Sequence, residues 1–367
     1  MDLYFDAKRY FYNRTGLGNY SRWLVHAYHG FFPEDHIHLL NPALGKKLVE
    51  PWIEQANLTK VDYPAMGGLY RSILLGRRIP DQAIYHGLSG ELPINLKDAE
   101  KRAVVTIHDV IFKIRPQDYK WHDRWSYDLK TRFALRTAAR VLAISHTTRN
   151  DLIERYHADP DRIEVVYQNC DPVFYQENKA GSGILERLAL PSEFWLCVGS
   201  FNPRKNQQSI LNAWEQIKPD QRIPILFIGE GGSKKEFRKI CEEKKLESWC
   251  FFPKVEYKTE LANLYRLSVG LIYPSLCEGF GIPAVEALAS GVPVLGHKGT
   301  SVEEAAGPGG VFLDTTRAED MAAGILKIQD DPAYRKDLCA RGKEHIAPFK
   351  ESVTMPKLKK LYGNLGK

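Results

Sequence analysis

The sequence contains no CxxC pair, no HExxH motif, no short-period repeat and no low-complexity tract. Its six cysteines (Cys170, Cys197, Cys241, Cys250, Cys277 and Cys339) form no even ladder, so neither a disulfide framework nor a structural zinc site is expected. Cys197 lies in an apolar run and reads as a buried free thiol, which fits a reducing, cytoplasmic compartment. The eleven histidines form no ligand cluster, and no metal site is expected. A run of about 18 uncharged apolar residues, the length of a membrane span, is also missing. The nearest approach, Leu267 to His297, is broken by Pro274, Pro283 and Pro293. The opening residues, MDLYFDAKRYFYNR, lack a basic stretch followed by an apolar one and do not read as a signal peptide.

What is present is an ordinary globular composition. The 367 residues are 44% hydrophobic and 26% charged, which excludes a disordered chain and a collagen-like fibre. The length suggests two domains, each with its own core. A formal net charge of +6 favours anionic partners such as phosphates or a membrane face. Nothing points to nucleic acid.

Short β-rich runs alternate with helical patterns. Strands are expected at Asp2–Phe5, Ala83–His86, Ala103–Ile107, Val141–Ile144 and Ile163–Tyr167, with another from His36 to Leu40. A second series follows at Phe194–Gly199, Ile223–Ile228, Val269–Tyr273 and Val292–Leu295. Helices between them include Gln207–Ile217, where Ile210, Leu211, Trp214 and Ile217 share a face. The alternation argues for two parallel sheets built from βαβ units, with the break near Asn169–Pro191. Ligands of such folds bind beyond the carboxyl ends of the strands, so the loops there are where chemistry belongs.

Four of these loops stand out. Thr15-Gly16-Leu17-Gly18-Asn19-Tyr20 opens a helix whose apolar face includes Leu24 and Tyr28; its glycines allow close approach of an anion or simply make a turn. His108 ends the strand Ala103–Ile107, where it can exchange a hydrogen bond with substrate, or be a satisfied structural histidine. In Gly199–Asn206, Asn206 is the expected N-cap, which places Arg204 and Lys205 just outside a helix N-terminus. Two cations there oppose the helix dipole, and an anion such as a diphosphate would offset that conflict. Finally, Glu278 and Glu286 are the only formal charges between Leu267 and His297. Pro283 fits the first position of a helix, with Glu286 in its first turn. Carboxylates in so apolar a stretch need donors, which sugar or ribose hydroxyls supply. The backbone amides of Gly279, Phe280, Gly281 and Ile282 offer an oxyanion site. Two weaker signals read as local structure: Ser233 with Glu236 as a capping box after Gly229-Glu230-Gly231-Gly232, and Asp159-Pro160-Asp161 as a turn.

Taken in order, these pieces resemble the family 4 glycosyltransferases, retaining enzymes of the GT-B fold. The matching stretches are TGLGNYSRWL near the start, TIHD at 106–109, VLAISHTTRNDLI at 141–153, VVYQNCDPVFY at 165–175 and VGSFNPRKN at 198–206. IGEGG at 228–232 and SLCEGFGIPAVEALASGVPVL at 275–295 complete the set. The last holds the family's two-glutamate signature, met by Glu278 and Glu286. The resemblance implies two Rossmann-like domains facing across a cleft, residues 1–172 on the acceptor side and 190–346 binding a nucleotide-diphosphate sugar. The last helix, about 350–367, would return to the first domain through Leu358, Leu361 and Tyr362. It further implies that Arg204 and Lys205 neutralise the departing diphosphate and that Glu286 accepts from the ribose. Glu278 and the Gly279–Ile282 backbone would hold the transferred sugar, with His108 facing it and Gly16–Gly18 closing on phosphates or acceptor. No metal or other cofactor is expected.

The implied activity is hexosyl transfer, as by a mannosyltransferase, from GDP-mannose or a UDP-sugar to a glycan or lipid-linked acceptor of a surface polysaccharide such as lipopolysaccharide. An epimerase of the same fold and a silent nucleotide- or glycan-binding module are the alternatives. Met66 to Arg78 mixes bulky apolar residues with Arg71, Arg77 and Arg78, which suits peripheral docking at an anionic membrane face or an ordinary half-buried helix. The aromatics of Tyr119–Tyr127 read first as a helix core face, with stacking on acceptor sugars as the other reading.

Overall fold

The computed structural model describes residues 1–365 apart from 46, 47, 50, 51, 53, 54, 65–71 and 177–181. Residues 66–71 of the basic apolar segment therefore lie outside the described residues. Two compact units divide the chain: residues 1–168 together with 349–367, and residues 169–348.

The first unit is built on seven strands in the order β3-β2-β1-β4-β5-β6-β7, every neighbouring pair parallel. They are β1 Asp2–Asp6, β2 His36–Ala43, β3 Leu58–Pro64, β4 Ile84–Gly87, β5 Ala103–Ile107, β6 Arg140–Ala143 and β7 Ile163–Val165. The order reverses between β1 and β4, so the loops after β1 and β4 open at the topological switch point, with the β5 loop next to them. Its longer helices are α1 Lys8–Tyr12, α2 Gly16–Phe31, α3 Trp121–Thr137 and α4 His146–Tyr156, the last capped by Ser145 Oγ on the Thr148 amide at 2.9 Å.

The two faces of this sheet follow the period-2 rule. Tyr85, Ala103, Val105 and Ile107 share one core with Leu75, Leu92, Leu96, Ala134 and Ala138. His86 and Thr106 point the other way, into a buried polar chain. Tyr20 Oη lies 3.0 Å from Thr106 Oγ1, Thr106 Oγ1 lies 2.8 Å from His86 Nε2, and His86 Nδ1 lies 2.6 Å from Tyr362 Oη. Tyr362 belongs to the helix Glu351–Gly363, which packs on α2 with Leu358 and Tyr362 fully buried and Leu361 nearly so. Burial pushes His86 down to about 3, so the ring is neutral and its single N–H is shared along this chain.

The second unit has six parallel strands in the order β10-β9-β8-β11-β12-β13. These are β8 Trp195–Val198, β9 Ile225–Ile228, β10 Cys250–Phe251, β11 Leu271–Tyr273, β12 Val294–His297 and β13 Gly310–Leu313. The helices around them include α5 Gln208–Gln216, α6 Lys234–Glu243, α7 Lys258–Leu267, α8 Ile282–Ala289, α9 Ser301–Ala306, α10 Ala318–Asp330 and α11 Pro332–His345. Ile210, Leu211, Trp214 and Ile217 enter one core with Trp195, Phe227 and Ile325, as their helical spacing predicts. Cys197 is a buried free thiol, pushed up to about 12 by burial.

Three strands were not expected. β3 alternates polar and apolar residues at a sheet edge, β10 has two residues, and β13 starts directly after a Gly-Pro-Gly turn. One expected cap also differs. Ser233 precedes α6 without a side-chain cap, and Gly229 and Gly231 are there for backbone clearance. A Cβ at Gly229 would lie 2.0 Å from the Gly199 carbonyl oxygen, and one at Gly231 would lie 2.4 Å from that of Phe201.

Replacing Tyr362 by Phe leaves one end of a buried polar chain without its partner. The substitution is expected to cost about 1–3 kcal/mol in urea denaturation. Separately, His86 titrates near 6.5 when unfolded and near 3 when folded. Stability is therefore expected to fall as pH drops below about 6.5, because only the unfolded chain takes up the proton.

Candidate active site

In the second unit the loops after β8 and β11 meet in a cluster of charge. The β8 loop makes a 3-10 turn, Pro203–Lys205, capped by Asn202, whose Oδ1 accepts from the Lys205 amide at 3.3 Å. Asn206 does not cap α5. It sits in the left-handed region at φ 53°, ending the turn, and α5 begins two residues later at Gln208. Arg204 and Lys205 thus lie on a tight turn of their own, and their dipole conflict with α5 is replaced by a closer anion.

That anion is Glu278. Its Oε2 lies 2.9 Å from Arg204 Nη1, and its Oε1 lies 2.5 Å from both Lys205 Nζ and Ser275 Oγ. Lys205 Nζ also donates to the Tyr273 hydroxyl at 2.7 Å and lies 4.9 Å from the centre of that ring. Arg204 donates to the Cys277 carbonyl, and the Leu276 amide donates to the Arg204 carbonyl at 3.0 Å, tying the two loops together. Burial alone would raise the Glu278 carboxyl; Lys205 and Arg204 outweigh it and hold the group below its ordinary value. Two cations against one carboxylate leave the cluster with a net positive charge at the carboxyl end of a parallel sheet. Ser275 and Tyr273 are supporting residues that sequence reasoning missed; their position at the end of β11, beside Glu278, was the available signal.

Glu286 lies in the second turn of α8, not the first, because α8 starts at Ile282 with Pro283 as its second residue. It accepts from the Tyr265 hydroxyl at 3.1 Å, and burial pushes its carboxyl up to about 7. Gly279 and Phe280 are buried with contacts of their own. Gly281, at φ +121°, turns the chain into α8. The amides of Gly281 and Ile282 donate to no protein acceptor among the described residues.

The first unit carries the remaining candidates. His108 follows β5, and its Nε2 lies 2.9 Å from the Leu88 carbonyl oxygen. A carbonyl only accepts, so Nε2 holds the proton and Nδ1 is left as an acceptor. Burial, aided by the nearby Arg9, pushes this ring down to about 4 and keeps it neutral. The Tyr20 ring meets it in a T-shaped contact, 4.5 Å between ring centres. His108 lines a pocket of about 230 Å³ with Arg9, Phe112, Tyr119, Tyr127 and Lys130. Arg9 was missed in the sequence, although a cation just after β1 is well placed for such a role.

Gly16 and Gly18 prove to be different in kind. A Cβ on Gly18 would lie 1.9 Å from the Asn13 carbonyl oxygen, so this glycine is required by packing, whereas Gly16 faces open space. The Asn13 side chain accepts from the Thr15 amide at 2.8 Å and the Gly18 amide at 3.3 Å, organising the start of α2. The aromatic stretch is a core face only in part: Tyr119 packs against the apolar core. Trp121, Trp125 and Tyr127 are all exposed.

Two parallel-sheet, Rossmann-like domains are the architecture of the GT-B fold. The sequence is matched by the family models Glycosyltransferase Family 4 over residues 82–172 and Glycosyl transferases group 1 over residues 186–345, together about two thirds of the chain. The chain belongs to the group 1 glycosyltransferases of family 4 type. It is 29% identical over 272 residues to O-antigen chain mannosyltransferase B of Escherichia coli, covering 72% of this chain and 70% of that protein. O-antigen chain mannosyltransferase RfbU of Salmonella typhimurium is 24% identical, over 74% of this chain and 75% of the relative. Among solved structures, Anabaena Alr3699/HepE in complex with UDP and glucose superposes with a TM-score of 0.76 at 16% identity, covering 100% of both chains.

Substituting Glu278 by Gln leaves Arg204 and Lys205 facing each other unpaired. Thermal denaturation is expected to show a loss of about 3–5 kcal/mol. Added nucleoside diphosphate is expected to restore part of it by supplying the missing anion.

Proposed function

We propose that the enzyme moves a hexose from a nucleotide-diphosphate sugar to a glycan or lipid-linked acceptor in surface polysaccharide synthesis, with retention at the anomeric carbon. GDP-mannose is the first donor to consider, because both relatives named above are mannosyltransferases, and a UDP-sugar is the second. The observation that carries the reading is the Arg204–Lys205–Glu278 cluster. In transfer, the bond from the anomeric carbon to the diphosphate oxygen breaks and the leaving group takes the electron pair. The acceptor oxygen bonds to that carbon and its proton passes to the leaving phosphate. The main electrostatic demand is the growing charge on the diphosphate, and two cations fixed beforehand meet it without a metal ion. Glu278 holds them side by side against their mutual repulsion and is in reach of sugar hydroxyls. Its oxygens already accept from Arg204, Lys205 and Ser275, so a hydroxyl shares rather than replaces these bonds.

Glu286 is the acceptor for the ribose hydroxyls, and the Gly281 and Ile282 amides are donors to an anionic oxygen. In the first unit, the neutral His108 offers Nδ1 to a sugar hydroxyl, and the pocket it lines, with the Phe112, Tyr119 and Tyr127 rings, suits a pyranose acceptor. For a lipid-linked acceptor the enzyme works at an anionic, cytoplasmic membrane face. No helix among the described residues is long and apolar enough to cross a membrane.

A thermal-shift panel of nucleotide sugars identifies the donor, since only a bound one raises apparent stability. With that donor, Arg204→Ala is expected to lower turnover by about 10²–10³ with the fold intact; unchanged turnover would remove Arg204 from the site, and insensitivity to EDTA is expected throughout. Because Glu286 ionises near pH 7, donor affinity is expected to weaken as pH falls through 7. In Glu286→Gln the dependence should be flat and the affinity low at every pH. His108 is already neutral above about pH 4 and adds no limb to this profile.

A further inference from the structure

The pocket beside His108 contains a donor that nothing in the first unit satisfies. Arg9 stands on the short helix α1, and it lines the pocket together with His108, Phe112, Tyr119 and Tyr127. Its Nε is buried and has no hydrogen-bond partner among the described residues. The Arg9 side chain makes no ion pair among them either. Buried N–H groups are nearly always bonded, because an unmet one has given up its hydration for nothing. By count the charged wall of the pocket is neutral, with Arg9 and Lys130 against Glu91 and Asp109. By contact it is not. Lys130 Nζ lies 3.1 Å from Glu91 Oε1, so those two answer each other. Asp109 Oδ1 accepts from the Ile111 amide at 3.1 Å, closing its own turn. Only Arg9 brings a full charge to this pocket without a partner among the described residues.

The chemistry of the group that would satisfy it is narrow. A guanidinium is planar and keeps its charge at every working pH, and its fork matches two oxygens of a carboxylate or a phosphate. A neutral hydroxyl meets one N–H and leaves the charge itself unanswered. Ring surface from Phe112, Tyr119 and Tyr127 and a fixed cation share one pocket of about 230 Å³. Together they describe a sugar that carries its own negative charge. The donor's diphosphate already has two cations set for it in the second unit, Arg204 and Lys205, which makes Arg9 surplus to that demand.

We infer that Arg9 is a specificity-determining residue that binds an oxyanion, a carboxylate or a phosphate, on the acceptor sugar. The acceptor is then acidic at the unit that enters this pocket. The inference rests on reading the pocket as the acceptor site and goes beyond it in naming the acceptor's charge.

The test is isothermal titration calorimetry of the full chain, without donor, against methyl mannoside, methyl glucuronide, mannose 6-phosphate and inorganic phosphate. The acidic sugars are expected to bind about tenfold or more tighter than the neutral one, and the tighter of the two tells a carboxylate acceptor from a phosphate one. Arg9→Gln should remove that advantage and leave methyl mannoside as it was. Arg9→Lys, a point charge without the fork, should keep part of it. Circular dichroism and affinity for the nucleotide sugar should be unchanged in both variants. Equal binding of acidic and neutral sugars, or binding of none, overturns the inference. So does inorganic phosphate that binds as tightly as mannose 6-phosphate, since the pocket then holds an ion and no sugar. A loss of nucleotide-sugar affinity in Arg9→Gln as large as the loss for acidic sugars gives Arg9 to the donor and also overturns it. If no nucleotide sugar is bound or turned over yet the Arg9-dependent preference holds, the transferase reading fails and the anion site stands. If neutral acceptors are turned over and Arg9→Gln makes no difference, the anion site fails and the transferase reading stands.

Discussion

The arrangement of the second unit turns on one carboxylate. Glu278 is placed where two backbone loops converge, and it is the anion that lets Arg204 and Lys205 share a small, largely dry volume. Without it the two cations repel each other in a medium that screens poorly. With it they stand at fixed positions before any ligand arrives, and the net charge is still positive. The neighbouring bonds serve this geometry: Ser275 and Tyr273 bind the same groups, and the Arg204 backbone carbonyl accepts from the Leu276 amide. A site whose cations are preset needs little rearrangement when negative charge develops on a leaving diphosphate.

Polar groups in the first unit are managed by a different device. The alternation of a strand sends Val105 and Ile107 to an apolar core and Thr106 to the opposite face. There Thr106 becomes the middle of a hydrogen-bonded chain from Tyr20 to Tyr362. Tyr20 in turn makes a T-shaped ring contact with His108. The residue that exposes a hydrogen-bond acceptor to the pocket is therefore supported by a helix brought in from 250 residues away in the sequence.

Much of this was legible beforehand. The two series of strands and the helix face of Gln208–Gln216 follow from periodicity, Arg204, Lys205 and Glu278 stood out by charge in unusual surroundings, and the return of the helix Glu351–Gly363 came with the family resemblance; that the carboxylate itself answers the two cations was not foreseen. What escaped was decided by tertiary contact. Asn206 has the chemistry of a cap, yet the preceding turn claims it in a left-handed conformation, and no local pattern reveals that. Gly16 and Gly18 look alike in sequence and are told apart only by the Asn13 carbonyl beside one of them. The Tyr119–Tyr127 aromatics have helical spacing compatible with a core, but the sheet already has Thr131, Ala134 and Ala138 on that side, so Trp121, Trp125 and Tyr127 are turned outward while Tyr119 stays against it. Arg9 gave no sign because its neighbour His108 is 99 residues away.

The docking of the helix Glu351–Gly363 has a consequence for the order in which the chain acquires structure. Residues 1–168 leave the ribosome first, but one face of their sheet, with His86 at its centre, is closed by residues that emerge after the whole second unit. During synthesis the first unit must therefore wait with an uncovered apolar surface and a histidine lacking its tyrosine, while residues 169–348 fold on their own. The early part of the chain is the last to be finished.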